Sequence, residues 1–172
     1  MNEILLDAFR HNSWATKQLI AACRGLSTEQ LTIPAPGSFG NILETFNHII
    51  LSDAGYMRRL SSIPAWAANG DESADLDQLE ARVEETARIW EHVLAGPIDA
   101  EQILILDEGA YETHTGVIIA QALHHGSAHR EQICAMLTSF GLEPPDIQVW
   151  AYADATERGR ERAANDEPPP SF

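Results

Sequence analysis

The chain has 172 residues, 44% of them apolar, and a formal net charge of −15. That length suits one domain with a real core, and no apolar run reaches the roughly 18 residues that a membrane-spanning helix requires. So acidic a chain repels nucleic acid and anionic membranes, which argues against both as partners.

The opening residues, Met1-Asn2-Glu3-Ile4, lack the basic start and small-residue cleavage site of a secretory signal. Cys23 and Cys134 fall inside apolar helical patterns as small core residues rather than a disulfide framework. A reducing, cytoplasmic setting is therefore expected.

Residues 3 to 26 predict an amphipathic helix, with Ile4, Leu5, Ala8, Phe9, Ala15, Leu19, Ala22, Cys23 and Leu26 returning to one face. Gly25 and Ser27-Thr28-Glu29 end it. Asn12 reads as an exposed amide beside a packing aromatic, Trp14. Pro34, Pro36 and Gly37 then break the chain, and Ser38 is the expected N-cap of a second helix running to about Leu60.

The apolar stripe of that second helix is Ile42, Phe46, Ile49, Ile50, Met57 and Leu60. His48 lies more than about 90° from its centre at 100° per residue. Its helix-face neighbours Asn41, Glu44, Thr45, Ser52 and Gly55 are small or polar, so periodicity leaves two alternatives: His48 lines a cleft or faces water.

Residues 63 to 75 predict a surface loop around Pro64 and Asn69-Gly70. A third helix carries Leu76, Leu79, Val83, Ala87, Trp90, Val93 and Leu94 and stops at Gly96-Pro97. From Glu101 to Thr115 the pattern changes to an extended crossover or a short hairpin about a turn. The fourth helix runs from about Gly116 to Phe140, with Gly141 at its C-cap.

His125 and His129 sit within about 60° of the centre of the fourth helix's apolar face, whereas His124 points well away from it. Residues at i and i+4 lie one above the other, so His125 and His129 can reach toward one point. Imidazole is the commonest neutral ligand for transition metals, and such a pair is half of a metal site. The competing reading is two core-edge histidines hydrogen-bonded to hydroxyls. His11 near the start of the first helix, His92 near the end of the third and His114 in the crossover are the other candidates, each with a plain surface residue as the alternative. A carboxylate-bridged two-metal site built on Glu44 and His48 lacks the repeated Glu-x-x-His pattern such sites use.

Beyond Pro144-Pro145, a tail bearing Trp150 and Tyr152 is expected to pack back, while Asp166-Glu167-Pro168-Pro169-Pro170 is expected to be disordered. No internal repeat is visible. The elements describe an all-α four-helix bundle with a long crossover between the third and fourth helices.

Three stretches in order carry a resemblance. Asn12-Ser13-Trp14-Ala15, then Ser38-Phe39-Gly40-Asn41-Ile42-Leu43 leading to Asn47-His48-Ile49, then His125-x3-His129-Arg130-x-Gln132 followed by Gly141-Leu142-Glu143-Pro144-Pro145-Asp146 resemble the DinB-like family over residues 3 to 154. The resemblance implies an up-up-down-down four-helix bundle over residues 1 to 154, followed by a tail over 155 to 172. It also implies a three-histidine metal site, which by position is His48, His125 and His129.

Two departures stand beside the third motif. Relatives often carry a second histidine and a glycine where this chain has Ala128 and Glu131, and the latter change bears on helix packing or dimerisation. Three neutral imidazoles leave open positions on a divalent metal, zinc or nickel, for water or substrate. The resemblance implies thiol S-transfer with bacillithiol or mycothiol, thiol-dependent isomerisation, or metal-dependent hydrolysis on a small substrate. The alternative is a non-catalytic metal-binding or stress-response bundle. Glu44, Ser52 and Tyr56 are the expected groups behind the ligands. Relatives are commonly homodimers, with the exposed aromatic Trp150 as an expected contact here.

Overall fold

The computed structural model describes residues 3–69 and 73–160. The stretch expected to be disordered, Asp166 to Pro170, lies outside the described residues. Four long helices dominate: α1 (Glu3–Cys23), α3 (Ile42–Arg58), α5 (Leu76–Ala95) and α6 (Thr115–Ser139). Three short ones join them, α2 (Thr28–Thr32), α4 (Ala65–Ala68) and α7 (Val149–Ala155). The protein is not purely helical. The crossover before α6 is a hairpin of β1 (Ile103–Leu106) and β2 (Tyr111–His114), antiparallel, with Ile103 opposite His114 and Leu106 opposite Tyr111.

The helix starts show why this sequence folds locally as it does. Asn41, not Ser38, caps α3: its side chain accepts from the Glu44 N–H at 2.9 Å while the Glu44 carboxylate accepts from the Asn41 N–H at 2.9 Å. Ser38 instead donates to the carbonyls of Ala35 and Gly40, at 2.7 and 2.6 Å, and shapes the turn ahead of the helix. A β-carbon at Gly40 would collide with the capping carboxylate of Glu44. The same reciprocal cap recurs at Asp75 with Gln78 ahead of α5, and at Ser27 with Gln30 ahead of α2. That last cap ends α1 sooner than the apolar pattern suggested. At the far end of α6, Gly141 takes a φ of 76°, and Gly141 and Leu142 donate to the carbonyls of Thr138 and Leu137. This is a Schellman closure, in which the left-handed residue is best a glycine.

Helix α1 packs against α5 and α6, and α3 packs against the same two. One core cluster gathers Leu19, Ile20, Phe46, Leu79, Ile133 and Leu137; another gathers Phe9, Met57, Trp90, Leu94 and Ile119. Phe9 and Trp90 stack at 4.2 Å between ring centroids. The expected surface loop contains α4, whose Trp66 packs on the first cluster under the Arg82 guanidinium. Of the two tail aromatics, Tyr152 is buried whereas Trp150 is 80% exposed.

Asn12 is not the exposed amide its surroundings suggested. It is 6% exposed, and its Oδ1 and backbone carbonyl both accept from Arg130 Nη1, at 2.6 and 3.3 Å. Thr16 Oγ1 accepts from the same nitrogen at 3.3 Å. Arg130 is itself 3% exposed, so this is a buried polar link between α1 and α6. A buried charge is tolerated only when hydrogen-bonded, and here three oxygens of α1 meet that need. His11, one turn earlier, is likewise half-buried rather than a surface residue: its Nε2 lies 2.8 Å from the Ile147 carbonyl and its ring lies edge-on to Tyr152.

Candidate metal centre

Because α3 and α6 are neighbours, the side of α3 that carries His48 faces the histidine edge of α6. The periodicity of α3 left cleft and water as alternatives, and helix packing decides for the cleft. The ring centroids of His48, His125 and His129 lie 4.8, 4.7 and 4.5 Å apart, and one nitrogen from each falls within 4.8 Å of the others. All three are half-buried, which leaves the cluster accessible from solvent. His124, His92 and His114 are exposed and take no part.

The nitrogen geometry can be read atom by atom. His48 Nε2 and His125 Nε2 are 3.0 Å apart. Two lone pairs at that distance repel unless a proton or a cation lies between them. Tetrahedral zinc, with bonds of about 2.0–2.1 Å to imidazole, places its nitrogens roughly 3.3 Å apart, close to what is found.

The third ring is oriented by Gln132. Its Oε1 accepts from the Phe39 backbone N–H at 3.1 Å and also lies 2.8 Å from His129 Nδ1. A backbone N–H can only donate, so the Gln132 atom is the oxygen and His129 Nδ1 must carry its proton. The lone pair of His129 therefore resides on Nε2, the orientation a ligand requires. Phe39, 53% exposed, closes one side of the cluster by stacking on His48 at 3.7 Å and 11° and standing edge-on to His129. Tyr56 stands edge-on to His125 at 5.8 Å, and its hydroxyl accepts from Gln121.

Burial also favours the neutral form of two of the imidazoles, His125 and His48. His125 is pushed down to about 4, first by burial and then by its neighbours His129, His48 and His124, and His48 is lowered by burial and by His129. A protonated imidazole cannot bind a metal, so this environment favours the ligating form. The donor set thus fits a divalent transition metal: three imidazoles from two helices, one of them with its Nδ1 proton fixed by an amide oxygen.

Among the groups expected behind the ligands, Tyr56 meets His125 only through its ring, and Glu44 does not reach the cluster. Its carboxylate is spent on the Asn41 cap, and no carboxylate joins the histidine cluster among the described residues. Sequence reasoning assigned no role to Gln132 or Phe39. Gln132 had a usable signal, since i+3 from His129 puts it on the same helix face. Phe39 had none, because it acts from a turn. Ala128 and Glu131, the two departures, are exposed.

The DinB family's sequence model matches residues 1–164. This chain belongs to the DinB family. It is similar to Protein DinB of Bacillus subtilis (strain 168), 23% identical over 171 residues, which cover 92% of this chain and 99% of the relative. No helix among the described residues is long and apolar enough to cross a membrane.

Two predictions arise from the site. Gln132→Leu is expected to weaken metal binding by roughly 10–100-fold, the usual cost of losing a partner that orients a ligating histidine, while Gln132→Glu keeps an acceptor and most of the affinity. Competition with a chromophoric chelator measures both.

The second concerns pH in the metal-free protein. An unfolded histidine takes up its proton near 6.5, and His125 refuses one until about 4, so its contribution to stability is lost as pH falls through that window. Asp53 works the other way. Burial raises its carboxyl to about 7, against the pull of the Trp90 N–H donor at 2.9 Å and of Arg130, so the folded state holds a proton that the unfolded chain releases near 3.8. Its contribution is lost as pH rises through that range, partly cancelling the histidine effect. Asp53→Asn removes the opposing trend, and its melting temperature is expected to climb more steeply than wild type between about pH 4 and pH 6.5. A slope no steeper than wild type would refute this.

Proposed function

We propose that this chain is a metal-dependent enzyme in which His48, His125 and His129 hold one divalent ion, zinc or nickel, and activate water or a low-molecular-weight thiol toward a small substrate. The reading rests on one observation above all: three imidazoles converge from two neighbouring helices at a place open to solvent. When bound, such an ion supplies Lewis-acid charge that favours deprotonation of water or a thiol near neutral pH. The chain's own residues do the rest. His48 and His125 present their Nε2 lone pairs, Gln132 holds the His129 proton on Nδ1, and Phe39 shields one side of the cluster. Tyr56, whose ring stands edge-on to His125 and whose hydroxyl meets Gln121, is the nearest phenol to the cluster that could orient a substrate.

The wider reading carries the family's expected form with it: an up-up-down-down arrangement of the four long helices within residues 1–154, a following tail over 155–172, a homodimer and a cytoplasmic setting. The test uses untagged protein, whose metal is first identified by elemental analysis. Chelator-treated and metal-restored protein are then compared for thiol addition to a small electrophile such as monobromobimane and for hydrolysis of an activated ester. Turnover that disappears with the metal and returns with it supports the enzyme. Stoichiometric metal with neither reaction above the metal-free rate favours a non-catalytic bundle instead.

A further inference from the structure

Helix α6 has a second concave face. At 100° per residue, Leu123, Ser127 and Arg130 lie about 150° round the helix from the two histidines. They line a cavity of about 490 Å³ closed on the other sides by α1 and α7, through residues such as Ala8, His11, Tyr152 and Ala153. An adjoining cavity of about 320 Å³ shares His11, Ser127, Arg130 and Val149 with it. None of His48, His125 and His129 lines either cavity.

Arg130 is what makes this cleft more than a packing defect. Every hydrogen bond of its guanidinium described above leaves from Nη1, toward Asn12 and Thr16. Nε and Nη2 have no acceptor among the described residues, and no carboxylate lies within ion-pair distance of the group. The side chain is nonetheless 3% exposed. Arginine is almost never so buried without an anionic partner. Asp53 and Glu131 attract it only from beyond ion-pair range. Of the carboxylates that line the two cavities, Asp7 is already engaged by Arg158 at 2.7 Å, and Glu131, exposed beside the smaller one, makes no ion pair with Arg130. The floor of a mostly apolar, drug-sized cleft therefore carries a cation with unspent donors, the pattern of a site that orients a small ligand by one polar end.

We propose that the α1–α6–α7 cleft is a second small-molecule site, separate from the histidine cluster, that takes a monocarboxylate with an apolar body. The carboxylate would meet the free edge of Arg130, in the planar geometry that suits guanidinium, and the apolar body would lie along Ala8, Leu123 and Tyr152. The proposal stands apart from the metal reading and does not need it.

Octanoate and octan-1-ol, titrated into the full-length protein by calorimetry, test it. Octanoate is expected to bind one per chain with Kd below about 1 mM, and the neutral alcohol about tenfold or more weakly, since it leaves the guanidinium unpaired. Ala153→Phe, which fills the cleft, and Arg130→Gln should each weaken octanoate by about tenfold or more. His125→Ala should leave it unchanged. Should Arg130→Gln fail to fold, the alcohol comparison and Ala153→Phe still decide. Absence of octanoate binding, equal binding of the alcohol, indifference to Ala153→Phe, or loss in His125→Ala would each overturn the proposal.

Discussion

Replacing His125 with alanine is expected to strip the protein of stoichiometric metal. Its Nε2 lies 3.0 Å from that of His48, so these two nitrogens define the position an ion would take, and His129 supplies the third donor. Removing a donor should cost more than the roughly 10–100-fold that losing an outer partner costs. His48→Ala and His129→Ala are expected to behave alike. His124→Ala, an exposed neighbour outside the cluster, is the control and should retain full loading. Elemental analysis of untagged protein gives the ratio directly. None of the three rings is a fully buried core group, so the metal-free variants should unfold within about 1 kcal/mol of metal-free wild type. Stoichiometric metal retained by any of the three variants would remove that histidine from the ligand set.

A large change in stability is expected at Gly126, with a sign opposite to the usual one. Alanine normally stabilises a helix interior by about 1 kcal/mol relative to glycine. Here a β-carbon would stand 2.7 Å from Asn12 Oδ1 and 3.0 Å from Arg130 Nη1. Neither atom can retreat freely, because they are bonded to each other at 2.6 Å inside the α1–α6 contact. Gly126→Ala must therefore separate the helices or break a charge-assisted bond in a buried setting, at a cost of about 1.5–3 kcal/mol that outweighs the propensity gain. Gly55 is the matched control. It lies within α3 and a β-carbon there meets nothing within 4 Å, so Gly55→Ala should stabilise by up to about 1 kcal/mol. Urea unfolding of both variants reads the two signs, and a stabilised Gly126→Ala would show that the helix contact is softer than described.

The contrast between these glycines shows where sequence reading stops. Both sit inside helices, and nothing local distinguishes them. Only the approach of Asn12 from another helix, 114 positions away in the chain, makes one of them irreplaceable. The same long-range fact hid the burial of Asn12, whose own surroundings resembled a solvated helix face. The start of α3 departs from the local pattern for a different reason. Ser38 and Asn41 are both good caps, and the choice depends on Glu44 folding back, which needs the room Gly40 leaves.

What the sequence determined alone was everything carried by a single helix. Apolar periodicity placed the four long helices, put His125 and His129 on one inward edge and excluded His124, because those features depend only on 3.6 residues per turn. It also marks the change of pattern between Glu101 and Thr115 as an extended crossover or a short hairpin, and the structure takes the hairpin. The tertiary structure decided what faces what. The position of His48 on its helix was fixed by the chain, but whether that side met water or two imidazoles depended on how α3 rotates against α6. That rotation is set by the packing of side chains such as Phe46, Ile49 and Ile133 in the shared core. Periodicity describes a face relative to its own helix and carries no information about the neighbour, so it leaves His48 open where the family resemblance assigns it, and the Gln132–Phe39 brace and the Arg130 cleft become visible only when the helices are assembled.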